Sequence, residues 1–467
     1  MSDQRAGNTR VDEMYITTYG GQTLDLFESG FFMELKLNES IYFNCLMGSV
    51  LLNDAANILV GALIAGKDTI TFKLRTPSFS DTPANIIYKS FYIHSVTDRT
   101  LNSDREQFYQ INFISMEGLK DSVVVLNNKF KGTTDEIAGK IFQDTLLTDR
   151  ILGTDGDATG GVTPLIIGDT PHKSKLEFIA NNWSPFRCLN YICKNTIGNT
   201  LDMPNTMFFE SNKGYYLTSI TNLIQAQKEA RVLYDEYNYM VNLDEQPNSP
   251  KDLRTKGEYK YSSPFTSMRQ LTVEKIYYPT YFDQLRNQSS GYYANTTFSY
   301  DWTTKDIYDI KFDYTDNHKD RQLKNLIPQT FENFKHIGEV APFPSKPYSN
   351  PLNNIKYKAG ASNLFGNDLA FDVGQVASVS FRNTGLAELD SVKIEITVPG
   401  KTDIEVGRLI RFNFPNVGDK TTTPDRTNVY DKLVSGIYVI TGINHIMNRV
   451  GHTMLLELSR DSLGADV

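Results

Sequence analysis

A strict two-residue alternation of apolar and polar side chains constrains this chain most, and it is clearest near the carboxy terminus. Within Ser391–Val398, Val392, Ile394, Ile396 and Val398 are apolar, while Lys393, Glu395 and Thr397 are polar. Successive side chains of a strand point to opposite faces, so this pattern predicts a half-buried strand. A Pro399-Gly400-Lys401 turn follows, and Gly407–Pro415 then sets Ile410, Phe412 and Phe414 against Arg411 and Asn413. Ser435–Ser459 reads as two strands around an Asn448-Arg449-Val450-Gly451 turn, with Met454, Leu456 and Leu458 on one face of the second. Joined by short turns, these four strands predict a small antiparallel barrel or sandwich.

The same period recurs early. Residues from about Phe31 to Met116 form a first β block, in which Thr69–Arg75 and Gln107–Ser115 both alternate and Asn53–Leu63 predicts a short helix. From about Glu117 to Lys260 the chain becomes mixed α/β. Thr133-Thr134-Asp135-Glu136 has the capping-box spacing, continued by Ile137, Ile141 and Phe142 at helical intervals. Ser184-Pro185 is a second helix start, with Leu189, Ile192 and Cys193 as its apolar face. Met207–Ser219 returns to strand-like sequence and Asp244–Lys260 is a polar loop. From about Ser267 the pattern is helical and then β again: Ile276–Leu285, then Tyr292–Tyr300 and Ile307–Tyr314 as strands. Pro342, Pro344, Pro347 and Pro351 crowd one segment that therefore cannot join a ladder and reads as an extended arm.

At 467 residues the chain is too long for one ordinary core, and two to four domains are expected. Its 27 Phe and 26 Tyr suit a sheet-rich protein, which explains the aromatics without a glycan-binding surface. A net charge of −8 argues against a protein that grips nucleic-acid phosphates. It leaves open a protein that nucleic acid passes through, since an acidic lining repels phosphates. Cys45, Cys188 and Cys193 form no disulfide framework, and the last two, five apart on a helix, lack metal-ligand spacing and read as buried small hydrophobes. The polar amino terminus and the short apolar run Ile58–Ala65 predict no secretion signal and no membrane insertion, hence synthesis in the cytoplasm.

Signatures of chemistry are missing from the sequence. The six histidines show no HxH or HxxxH spacing, although His445 and His452 flank the last turn and are placed to pair across it. Gly153–Gly161 offers Asp155 and Asp157, but an EF-hand counted from Asp155 would have Ile166 where glutamate is required. No P-loop, GxGxxG or GxSxG motif is present. No carboxylate pair is distinguished, and Asn38-Glu39-Ser40 is a chance sequon. Neither a catalytic residue, a metal nor a cofactor is expected.

Four segments in order carry a resemblance: Leu52–Leu74, Asn182–Cys193 with Phe208–Leu217 (FFESNKGYYL), Ser290–Tyr314, and Ser435–Leu463. Taken together the chain resembles the baseplate hub subunit of contractile-tailed, T-even-type bacteriophages, related to the hub half of type VI secretion spike proteins. The resemblance implies an α+β, β-rich fold with two similar antiparallel β-barrels, a mixed α/β middle domain and an inserted smaller domain. The implied division is 1–120 for the first barrel, 121–265 for the middle domain, 266–315 and 376–467 for the second barrel, and 316–375 for the insertion with its Pro-rich arm. It further implies a homotrimer that presents six barrels around a channel, so that a threefold spike meets a sixfold tube. The implied partners are a spike protein trimer, a tail-tube or tube-initiator ring, and other baseplate and tape-measure proteins, in the virion tail, with DNA in transit and not specifically bound. Because the hairpin lies close to Val467, a separate spike protein is expected. Gly418, Asp419, Lys420, Asp431 and Lys432, in a loop of the terminal block, are the interface candidates. The alternatives are a hub of a secretion-type or phage-derived injection particle, or a glycan-binding or glycan-cleaving tail protein.

Overall fold

Alternation becomes structure where the sequence places it. Val392–Pro399, Leu409–Asn413, Gly436–Asn448 and His452–Arg460 are strands, and Val392, Ile394, Ile396 and Val398 are at most 2% exposed. The computed structural model describes residues 6–61, 64, 66–76, 85–103, 106–147, 164–168, 175–196, 204–229, 235–239, 270–280, 294–301, 307–313, 355–358, 382, 385, 386, 389, 392–415, 430, 431 and 434–460. Within them the protein is β-rich and built on one fourteen-stranded sheet.

Residues 10–115 supply one half of that sheet. Its hydrogen-bonded order runs from Thr23–Asp25 through Arg10–Thr17, Thr69–Arg75, Ile86–Ser103, Glu106–Ser115 and Met47–Asp54 to Phe32–Ser40, every pair antiparallel. Phe32–Ser40 then pairs with Gly436–Asn448, the strand common to both halves. One edge of this strand is divided. Residues 436–439 pair with Leu409–Asn413, and residues 442–448 pair with residues 34–40. Its register shifts between Ile440 and Gly442, and there the Thr441 carbonyl accepts from the Ile41 N–H at 3.0 Å. An extra residue in a strand bends it and increases its twist, which lets one strand leave one sheet and enter another.

The carboxy-terminal half is drawn from distant segments. Leu409–Asn413 pairs in parallel with Asp235–Tyr239, which pairs in parallel with Thr272–Val273. On the other branch His452–Arg460 pairs with Val392–Pro399, and that strand with Lys275–Thr280. Glu274 alone separates the two short strands, and its N–H donates to the Thr397 carbonyl at 2.8 Å. Val392–Pro399 and Leu409–Asn413, consecutive in sequence, are not hydrogen-bonded neighbours.

Three apolar cores result. Phe72, Phe91, Phe113, Leu35, Leu37 and Met447 belong to the amino-terminal one. Ile394, Ile396, Phe412, Ile443, Met454 and Leu456 belong to the carboxy-terminal one. The third packs helices Thr134–Ile141 and Pro185–Lys194 on two small sheets through Ile137, Leu189, Ile192, Phe208 and Tyr215. Both expected helix starts operate: Glu136 Oε2 accepts from the Thr133 N–H at 3.1 Å, and Ser184 Oγ accepts from the Arg187 N–H. Cys188 and Cys193 are buried free thiols.

Some elements were not legible. The strand Arg10–Thr17 and the helices Met116–Val123 and Ile220–Glu229 have no counterpart in the sequence reading. Ala294–Asp301 and Ile307–Asp313, expected to open the second barrel, pair with each other and with Ile355–Lys358 in a separate three-stranded sheet. Residues 153–163, the Pro342–Pro351 arm, Gly418, Asp419, Lys420 and Lys432 lie outside the described residues. Among the described residues no helix is long and apolar enough to cross a membrane.

Candidate functional site: the junction of the three cores

The hairpin of strands Thr206–Glu210 and Tyr215–Ser219 carries the polar groups that join the three cores. Its tip, residues 210–216, places a different side chain on each neighbour. Glu210 is 1% exposed and reaches into the amino-terminal half. Its carboxylate accepts from Lys89 Nζ at 3.0 Å, from the Leu46 N–H at 2.8 Å, from the Tyr215 hydroxyl at 3.0 Å and from the Ser115 hydroxyl. A buried carboxylate is tolerated when its lone pairs are filled and a cation balances it, and both conditions are met here. Lys89 also donates to the Ser211 carbonyl at 2.7 Å. Burial first, then the charges of Glu210 and Glu117, hold the Tyr215 phenol well above its ordinary range. Burial likewise pushes the Cys45 thiol up to about 12, favouring its neutral form.

On the opposite side the tip meets Glu405. The Lys213 ammonium lies 3.0 Å from Glu405 Oε1, while the Ser211 and Tyr216 hydroxyls donate to Oε2 at 3.2 and 3.1 Å. Between these two anchors the Asn212 N–H donates to Glu39 Oε2 at 3.3 Å, and its side chain donates to the Ile404 carbonyl at 2.9 Å. One seven-residue tip is therefore fixed to both halves of the large sheet.

Glu39 begins a second polar element. It sits between Leu37 of the amino-terminal core and Ile41 of the carboxy-terminal core. Across the sheet His445 lies between Ile443 and Met447, which are divided between the same two cores. His445 Nε2 faces Glu39 Oε1 at 3.4 Å. Its Nδ1 lies 3.0 Å from His452 Nε2, whose own Nδ1 lies 3.0 Å from Thr9 Oγ1. Glu39 and His452 are 2% exposed and His445 is fully buried. Burial first, and then His445, hold the His452 imidazole well below its ordinary value. Gly400 is required beside it, because a Cβ there would stand 2.0 Å from the His452 ring. The four side chains form a polar partition where one apolar core ends and the next begins.

The two histidines expected to pair across the last turn do so. Of the interface candidates, Asp431 is described: its N–H donates to the Phe414 carbonyl at 2.8 Å, and its own carbonyl accepts from the Ser435 N–H at 2.9 Å, at the entry to the shared strand. Glu39, Lys89, Glu210 and Glu405 escaped the sequence reading. For Glu210 a signal existed, since an acidic residue two positions after Phe208 shares the inward face of that strand. Among the described residues no group of three or more His, Cys, Asp or Glu side chains is placed to hold a metal ion.

No protein-family model matches the sequence, and no curated protein matches it. In structure the chain is similar to a tail protein of Neisseria meningitidis MC58, with 8% identity, 97% of each chain covered and a TM-score of 0.49. It is similar to the 43 kDa tail protein of prophage MuSo2 from Shewanella oneidensis, with 9% identity, 96% of this chain and 98% of that one covered and a TM-score of 0.49. A component of the E. coli type VI secretion system is similar at 8% identity over 93% of this chain and 75% of that one, with a TM-score of 0.39.

Proposed function

We propose that the chain is a structural hub of a contractile tail: a homotrimer in which each subunit contributes two β-barrels to a pseudo-sixfold ring. The observation that carries this reading is the shared strand Gly436–Asn448, hydrogen-bonded to both halves of the sheet. It sets two units of seven strands each side by side in one polypeptide. Closure of the carboxy-terminal unit into a barrel is supported by residues 272–280, which pair with both Asp235–Tyr239 and Val392–Pro399. In the amino-terminal half the Leu26 N–H donates to the Met14 carbonyl and the Phe32 N–H to the Leu26 carbonyl, bringing the first strand back toward the third.

In this reading the amino-terminal, middle and carboxy-terminal units correspond to the three cores, with residues 272–280 belonging to the carboxy-terminal unit and Ala294–Asp301 and Ile307–Asp313 to a separate small sheet. The role is mechanical and non-enzymatic. One face of the ring holds a spike trimer and the other templates the sixfold tube, within the tail of a virion or a related injection particle. DNA passes through a lumen that is acidic or neutral, in keeping with a net charge of −8. The loop with Gly418, Asp419, Lys420, Asp431 and Lys432 is proposed to contact a neighbouring ring or spike. Native mass measurement tests the reading: a defined trimer that binds a spike trimer is expected. A monomer that binds or cleaves glycans would overturn it.

A further inference from the structure

The geometry of the partition points to a proton-operated lock: we propose that the Glu39–His445–His452–Thr9 string admits one proton and opens with the second, releasing the terminal hairpin from the amino-terminal sheet. At neutral pH the donors run one way. In the tautomers that give each of these contacts one donor and one acceptor, the Thr9 hydroxyl donates to His452 Nδ1, His452 Nε2–H donates to His445 Nδ1, and His445 Nε2–H faces the Glu39 carboxylate. A first proton reverses two of these bonds and loses none. His445 then carries both ring hydrogens, its Nδ1–H donates to His452 Nε2, and His452 Nδ1–H donates to Thr9. The product is an imidazolium beside a buried carboxylate, whose facing atoms have no hydrogen-bond partner elsewhere among the described residues. A second proton has no such place. It would set two N–H donors and two positive charges against each other across 3.0 Å.

The surroundings offer no relief. From the strand Phe32–Ser40 only Glu39 faces the string, since Glu34 and Lys36 pair with each other on the other, solvent-accessible face. The middle block contributes the neutral Asn212 N–H to Glu39 and the phenol of Tyr216 nearby. From the 399–401 loop Gly400 covers the His452 ring, while the Lys401 ammonium is taken by Asp235 and Asp403. The amino-terminal segment contributes Thr9 and the Gly7 carbonyl, which accepts from the His452 N–H at 2.7 Å. The depressed affinity of His452 for protons agrees in sign. An opened hairpin binds a proton that the closed one refuses, so closure weakens as pH falls below the ordinary imidazole value of about 6.5.

Hydrogen exchange of the full chain, followed by mass spectrometry between pH 7.5 and 5 and corrected for intrinsic rates, reads the opening constant of residues 436–460. Below about pH 6 the wild type takes up one proton on opening, so that constant rises about tenfold per pH unit. Glu39→Gln removes the partner of the first proton, and the rise steepens toward about a hundredfold per unit. His452→Gln removes the imidazole that refuses the second proton, and the slope falls toward zero. Peptides of residues 106–115 serve as the internal reference. If His452→Gln does not fold, the steepening in Glu39→Gln decides alone. A flat wild-type profile, or equal slopes in wild type and Glu39→Gln, would overturn the lock.

Discussion

The two halves of the large sheet contain the same number of strands and are assembled in opposite ways. The amino-terminal half comes from one stretch, residues 10–115, with neighbours in the sheet mostly near in sequence. Its core is aromatic at the centre: Phe91 lies 5.1 Å from Phe72 and 4.8 Å from Phe113, ring centre to ring centre. Gly48 makes room for this cluster, because a Cβ there would stand 2.4 Å from the Phe113 ring. The carboxy-terminal half gathers strands from residues 235–280, 392–413 and 436–460 and fills its core with Ile, Val and Leu. Local contacts form early and distant ones late, so the first half can fold while the chain for the second is still incomplete. What unites them is the shared strand, hydrogen-bonded to both.

The largest expected effect tests that union. Phe113→Ala empties the aromatic centre and costs about 4 kcal/mol. In denaturant the loss should appear as one transition followed by probes in both halves. Two separated transitions would show that the shared strand does not couple them. Next in size is Lys89→Met, which leaves Glu210 buried without its cation and costs about 3 kcal/mol. Limited proteolysis of this variant should release the middle block from the amino-terminal half first. Loss of both halves together would place the coupling elsewhere. The smallest effect is Ser184→Ala, which removes an N-cap from the helix Pro185–Lys194 at about 1 kcal/mol. Exchange protection should fall in that helix and stay unchanged in the strand Gly436–Asn448.

These contrasts also explain what could be read from the sequence. The carboxy-terminal strands were plain because one face is buried and the other is not, so period two survives in Ile394, Ile396 and Val398. Arg10–Thr17 was missed because Asp12 and Glu13 interrupt its alternation; Asp12 answers Arg75 and Glu13 answers Lys73 on the neighbouring strand. The helix Ile220–Glu229 follows a strand directly; Ser219 caps it, its Oγ accepting from the Asn222 N–H at 3.0 Å, but as the last residue of a strand-like run it was not read as a helix start. In the junction only the His445–His452 pair was legible, since a four-residue turn brings its members together. Lys89 and Glu210 are 121 residues apart, and a buried ion pair over that separation leaves no local trace. The segment Phe208–Leu217 stood out by resemblance, and its tip proves to be the key between the cores.

The most direct measurement of the account is the rotational symmetry of the purified chain in end-on electron-microscope images. Three subunits around an open channel are expected, with six similar densities at the radius of the β units. A particle with one β density per subunit, or a lone subunit with no channel, would contradict it.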